Sequence, residues 1–325
     1  MPRTPVDHSI WTGRNDGDDP GHVRWHQRIR MGGAGARDEP GDVALLGFAS
    51  DEGVRRNAGR PGAAVAPDEL RRALAPLPVH TDHVVVDLGT VGLPGGGEDV
   101  LTDGQREFGA VVAGALDAHR LVVALGGGHE TAYASYLGWS ASARCADARV
   151  GVLNLDAHFD LREADRPTSG TPFLQMARAE AAAGRTLRYG VVGISEAANT
   201  RTLFDTADTL GVRYLLDRNC QPRHLDRITA FVDAFVAGVD AVHLSIDLDV
   251  LPAAQAPGVS APAAVGVPVE VILEVCRRVA LSGRLALVDI VELCPPRDID
   301  GRTARTAARL VHEMVGCLPQ RSPQG

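Results

Sequence analysis

The chain has 325 residues, 45% hydrophobic and 23% charged, an ordinary globular composition that excludes a fibrous or wholly disordered protein. Its 33 basic residues against 41 acidic ones give a formal charge of −8, which argues against a dedicated nucleic-acid binder. Every one of those cations is arginine, so a Schiff-base lysine, pyridoxal-phosphate chemistry and a Walker-type phosphate loop are excluded, and any cation for an anionic substrate must be a guanidinium.

Residues 1–40 read as a polar N-terminal extension rich in Gly, Asp and Arg, with some helix near 23–31. The opening MPRTPVDHSIW lacks the apolar core of a signal peptide, and no run approaches a membrane span. Short apolar, β-branched runs then follow at 43–49, 83–89, 121–125, 150–156, 189–195, 212–216, 241–249 and 285–292. Helix-length stretches separate most of them, at 102–119, 171–184, 221–237, 267–280 and 302–318, and Pro67 opens another at PDELRRAL. The tail after Leu318 is expected to fray. Five widely spaced cysteines with no CxxC read as reduced thiols in a cytoplasmic protein.

Eight strands alternating with helices predict an α/β fold, a mostly parallel sheet covered on both faces. The pattern alone leaves a closed barrel and an open three-layer sheet both standing. Either architecture places ligands at the C-terminal ends of strands.

Three of those ends are crowded with metal-type ligands. LVVAL leads into GGGHE with His129 and Glu130; VGVLNLD leads into DAHFD with Asp156, His158 and Asp160; AVHLSIDLD ends in Asp247 and Asp249. If strand geometry persists, residues two apart share a face, so Asp156, His158 and Asp160 can converge, and Asp247 and Asp249 share a face. Buried carboxylates are costly unless paired or metal-bound. Four aspartates and two histidines are too many for one zinc and suit two divalent ions, with Mn²⁺ favoured by an all-oxygen-and-nitrogen set. Two ions roughly 3.5–4 Å apart can hold a bridging hydroxide, which points to metal-assisted hydrolysis.

GGGHE, DAHFD and SIDLDVL resemble the three metal motifs of the ureohydrolase family, which includes arginase and agmatinase. GFASDEGVRRNAGRPGAA, NLDAHFDLR, SGTPF, SIDLDVLPAAQAPGVSAP and DGRTARTAARLVHEM extend the resemblance to its formimidoylglutamase branch, across about residues 40–315. The resemblance implies a single arginase-like catalytic domain over 1–325, a three-layer α/β/α sandwich around an eight-stranded sheet. The strands ending at His129, Glu292, Asp247 and Asp156 would lie at its centre. It also implies two Mn²⁺ per subunit, one on His129, Asp156, Asp160 and Asp247, the other on Asp156, His158, Asp247 and Asp249. Asp160 would accept the nucleophile's proton and pass it to the leaving amine. Glu292 would pair with the substrate's cationic C–N head.

Gly128, Arg162, Pro252, Ala253 and the SGTPF segment depart from the arginase pattern and agree with the formimidoylglutamase one. That substrate, N-formimidoyl-L-glutamate of histidine degradation, carries two carboxylates and needs cations or amide donors near the metals. Arg162, Arg55, Arg56, Asn57, Arg60 and Ser169 are the candidates. The implied products are L-glutamate and formamide, by attack of the bridging hydroxide. The residues alone also admit cleavage of the other C–N bond, giving ammonia and N-formylglutamate. Other readings are a guanidinobutyrase, agmatinase or arginase, and a non-catalytic metal-binding homologue. The expected partner is a small molecule with two carboxylates, not nucleic acid or membrane, and family habit implies a homo-oligomer.

Overall fold

The computed structural model describes residues 3–32, 41–95, 99–145 and 148–320. Parts of the predicted extension and tail, 1–2, 33–40 and 321–325, lie outside the described residues. The sheet contains β1 (Arg30–Met31), β2 (Val43–Ala49), β3 (Val85–Gly92), β4 (Leu121–Leu125), β5 (Val150–Leu155), β6 (Arg188–Ile194), β7 (Arg213–Leu216), β8 (Ala241–Asp247) and β9 (Leu285–Val291). Its order is β1-β3-β2-β4-β9-β8-β5-β6-β7, with every pairing parallel. The sheet has two free ends in this order, so it is open and not a barrel.

Eight strands were expected and the described residues form nine. The extra one, β1, is two residues long and sits at an edge within the predicted extension, too short to leave a periodic signal. The described residues of the extension are otherwise well anchored. Thr4 and Thr90 exchange backbone hydrogen bonds of 2.8 and 2.9 Å. Val6, Ile10, Trp11 and Trp25 are buried. The Trp11 indole donates to Asp87 (2.8 Å), the same carboxylate that holds the fully buried Arg71 guanidinium through two bonds of 2.8 and 2.9 Å. The predicted helix near 23–31 shrinks to Trp25–Arg28.

Alternation along the strands sets the layers. On β2, Val43 and Leu45 join one core with the helices Ala66–Leu74, Leu225–Ala237, Val269–Leu281 and Arg302–Gly316. Ala44, Leu46 and Phe48 join the opposite core with Val100–Ala118 and Thr131–Ala141. Further along that second face, Pro172–Ala182 and Arg201–Thr209 cover β5 and β6. This is the three-layer α/β/α arrangement. On β8 the alternation is chemical as well: Val242, Leu244 and Ile246 are core residues, whereas His243, Ser245 and Asp247 share the other face. The central strands β4, β9, β8 and β5 end beside one another, and their ends carry the ligand motifs.

Candidate active site

Neither DAHFD nor the Asp247–Asp249 pair converges by extended alternation. β5 stops at Leu155 and β8 at Asp247, and tight turns follow each. In both turns the first aspartate caps the backbone two residues on. Asp156 Oδ1 accepts the His158 N–H, and Asp247 Oδ1 accepts the Asp249 N–H, each at 2.7 Å. Asn and Asp side chains favour this local bond, which explains why a DxH or DxD pair bends where a strand ends. Asp160 lies at φ +48° and Glu292 at φ +67°, two of four non-glycine residues in the left-handed region among those described. Backbone strain of this kind is tolerated where surrounding structure enforces it and concentrates at functional sites.

The six predicted ligands form two groups. His129, Asp156, Asp160 and Asp247 have donor atoms all within 4.8 Å of one another, as do Asp156, His158 and Asp249. The His129 Nδ1 lies 2.9 Å from Asp160 and 3.2 Å from both Asp156 and Asp247. His158 Nδ1 lies 3.1 Å from Asp249 and 3.5 Å from Asp156 Oδ1. Asp156 thus faces one group with Oδ2 and the other with Oδ1. Asp247, expected to bridge as well, falls in the first group alone.

The donor set fits two divalent cations. His129 Nδ1 and Asp249 Oδ1 are buried without a hydrogen-bond partner. Burial, and then the charges of Asp249 and Asp156, push the Asp247 carboxyl well above the usual carboxylate range. Asp249 beside His158 drives that imidazole well above its usual value. Carboxylates this close cannot all ionise without positive charge among them, which metal ions provide. His129 and Asp156 are sealed, while the His158 side chain is 22% exposed and that of Asp160 12%, so the open side of the centre is theirs.

A polar ladder supports this centre from below. Asn154 on β5 is in register with Ser245 on β8, and Ser245 with Asp289 on β9. Asn154 Nδ2 donates to Asp156 Oδ2 (2.9 Å). Ser245 Oγ lies 3.0 Å from His129 Nε2 and 3.4 Å from Asp289. Asp289 also accepts from Ser135 Oγ and contacts His243 Nε2, both at 2.5 Å. His243 therefore has a specific acid partner and is more than strand packing. Sequence reading passed over Asn154, Ser245 and Asp289. The available signal was their place two or three residues before a ligand or Glu292, on strands already identified. The Phe173 ring stands edge-on to His129 at 5.2 Å, stacked on Tyr189.

Glu292 is neither a helix cap nor a surface group. It is buried directly after β9, and its Oε1 accepts the His129 N–H at 2.8 Å. Burial, then the nearby Glu130 charge, push its carboxyl up to about 8.

The substrate candidates divide. Asn57 Nδ2 reaches Ser169 Oγ at 3.3 Å, and Arg162 lies against Gly170 beside Asn57. Among the described residues no acid or carbonyl engages the Arg162 guanidinium, and the adjacent Glu163 pairs with Arg178. Arg55 and Arg56 both bind Glu52, at 2.6 and 2.8 Å, and Arg56 also reaches the Pro167 carbonyl. Arg60 is committed to the carbonyls of Ser260 (2.7 Å) and Val259 (2.9 Å), joining the rim to the loop after β8. A cavity of about 800 Å³ bordered by Tyr136, Trp139, Arg188 and Arg213 opens at the opposite ends of β5–β7 and contains none of these groups.

The sequence profile of the arginase family matches residues 41–316. A formimidoylglutamase from Nocardia farcinica is 55% identical over 306 residues, 94% of this chain and 95% of that protein. One from Ralstonia nicotianae is 49% identical over 327 residues, 99% of each. The crystal structure of formimidoylglutamase from Bacillus subtilis superposes with a TM-score of 0.78 at 22% identity, covering 93% of both chains, and shares the fold.

Proposed function

The chain belongs to the arginase family, and from that premise we propose that it hydrolyses N-formimidoyl-L-glutamate to L-glutamate and formamide. The observation that carries the substrate is identity of 55% and 49%, across nearly the whole chain, to proteins named for that activity. Its geometric support is a two-metal donor set and, two residues after Asp160, the exposed Arg162, whose guanidinium no acid engages among the described residues.

One ion would be held by His129, Asp156, Asp160 and Asp247. The other would be held by Asp156, His158 and Asp249, with Asp247 as its further ligand. The oxygen-and-nitrogen donors favour Mn²⁺. When bound, the ions supply Lewis acidity and a water of lowered pKa. The chain's own residues do the rest. Asp160, on the open side of the centre, takes the proton from the attacking water and returns it to the departing glutamate nitrogen. The carbon–nitrogen bond to glutamate breaks as the formimidoyl carbon gains oxygen. Glu292, fixed by its bond to the His129 backbone, faces the amidinium and stabilises the charge that develops there. Arg162, with Asn57 and Ser169, orients the carboxylates. Arg55 and Arg56 act through the Glu52 cluster, and Arg60 braces the rim.

We place this reaction in histidine degradation, in the cytoplasm, on one catalytic domain preceded by the extension 1–40 and assembled as a homo-oligomer. Composition supports the absence of a nucleic-acid partner, and no helix among the described residues is long and apolar enough to cross a membrane. The test is turnover of N-formimidoyl-L-glutamate, L-arginine and agmatine by Mn-loaded protein. Turnover of the first alone is expected; urea from either of the others overturns the substrate assignment.

A further inference from the structure

The turn that delivers His129 and the loop that carries Arg55, Arg56 and Asn57 meet along a short stretch of bare backbone. The Gly128 N–H donates to the Ser50 carbonyl at 2.9 Å. A Cβ on Gly127 would lie 1.7 Å from that carbonyl oxygen. A Cβ on Gly128 would lie 2.2 Å, and one on Gly53 2.4 Å, from Glu130 Oε2. One close approach thus requires glycine at three positions, two of them within the GGGHE motif.

Glu130 is at the centre of this contact. Its side chain is fully buried, and Oε1 accepts from Ser50 Oγ at 2.7 Å and from the Gly53 N–H at 2.9 Å. These bonds join segments 80 and 77 residues apart in sequence. Oε2 has no hydrogen-bond partner among the described residues. Glu130 is the N-cap residue just before the helix Thr131–Ala141, yet its side chain makes no cap bond to that helix; the Gln105 amide donates to its carbonyl instead. The carboxylate serves the neighbouring loop. Gly53 belongs to the short helix Glu52–Arg56, which ends in the two arginines and leads to Asn57 and its contact with Ser169.

We propose that Glu130 is a positioning residue that latches the arginine-bearing loop 50–57 to the metal-ligand turn, holding the groups that read the substrate's carboxylates at a fixed distance from the reacting centre. The latch rests on the formimidoylglutamate reading only for the identity of the substrate. Because two bonds converge on one oxygen, glutamine satisfies the site and alanine does not.

The experiment compares wild type, Glu130→Ala, Glu130→Gln and Ser50→Ala for Mn content, for kcat and KM on N-formimidoyl-L-glutamate, and for amide exchange across residues 50–57. Glu130→Ala is expected to keep wild-type Mn content, raise KM about tenfold or more, change kcat by less than about threefold, and accelerate exchange in the loop. Glu130→Gln restores wild-type values, and Ser50→Ala raises KM and exchange in the same direction by a smaller factor. Unchanged KM and exchange in Glu130→Ala overturn the latch. So does a loss of Mn and kcat at constant KM, which would place the residue's role at the metals. If Glu130→Ala does not fold, Ser50→Ala decides, and unaltered KM and exchange there overturn the proposal. A wild type that leaves formimidoylglutamate untouched refutes the substrate, and loop exchange then still judges the latch.

Discussion

Replacing Ser245 with alanine tests whether the ladder beneath the metals sets their affinity. A His129 Nδ1 that faces three carboxylates within 3.2 Å must be unprotonated to bind a cation, which puts the proton on Nε2. That N–H then donates to Ser245 Oγ at 3.0 Å, and the Ser245 hydroxyl donates to Asp289 Oδ2 at 3.4 Å. Ser245→Ala leaves the buried Nε2–H without its acceptor. A buried donor so stranded costs about 1–3 kcal/mol. Binding a cation at Nδ1 makes the Nε2–H more acidic and its hydrogen bond stronger, so about 1.4 kcal/mol of that loss falls on the metal-bound state, a tenfold weaker affinity. Titration calorimetry with Mn²⁺ on chelator-stripped protein would measure it, with circular dichroism to verify the fold. Affinity within twofold of wild type at both sites would refute the reasoning and make the ladder a packing feature.

Arg162→Ala should raise KM for formimidoylglutamate by about tenfold to a hundredfold while Mn content stays constant, as steady-state kinetics and metal analysis would show; an unchanged KM removes Arg162 from substrate recognition. Asp87→Ala should destabilise the protein by about 3–5 kcal/mol in urea unfolding, because Arg71 loses its buried acid and keeps only the half-exposed Asp68 at 3.3 Å, and Trp11 loses its acceptor. Stripping the metals should lower Tm, and Mn²⁺ returned at about a hundredfold over its Kd should restore about 2.7 kcal/mol per site; a Tm indifferent to chelator and Mn²⁺ contradicts a two-metal centre.

The sheet was legible because parallel strands buried on both faces read as unbroken apolar runs, and LVVAL and VALLGFA match β4 and β2 to the residue. The six clustered carboxylates and imidazoles stood out because such groups have no ordinary place at the end of such a run. How they converge was not. Alternation predicts one face for Asp156, His158 and Asp160, but the bond from the His158 N–H to Asp156 ends the strand, and Asp160 needs a left-handed backbone that no pattern announces. Ser245 and Asp289 escaped notice because one hydroxyl and one acid inside apolar strands gain meaning only from register across strands 44 residues apart. Arg60 looked like its neighbours in sequence, and only the nearby carbonyls of Val259 and Ser260 separate it from Arg162.

Oxygen-18-labelled water tests the central claim most directly. Mn-loaded protein would be incubated in it with N-formimidoyl-L-glutamate and the products separated by mass spectrometry. The account predicts formamide carrying one labelled oxygen and unlabelled L-glutamate, at a rate abolished by chelator and restored by Mn²⁺. Labelled N-formylglutamate with ammonia would show that the other carbon–nitrogen bond breaks, and no product from protein with two bound metals would contradict the proposed activity itself.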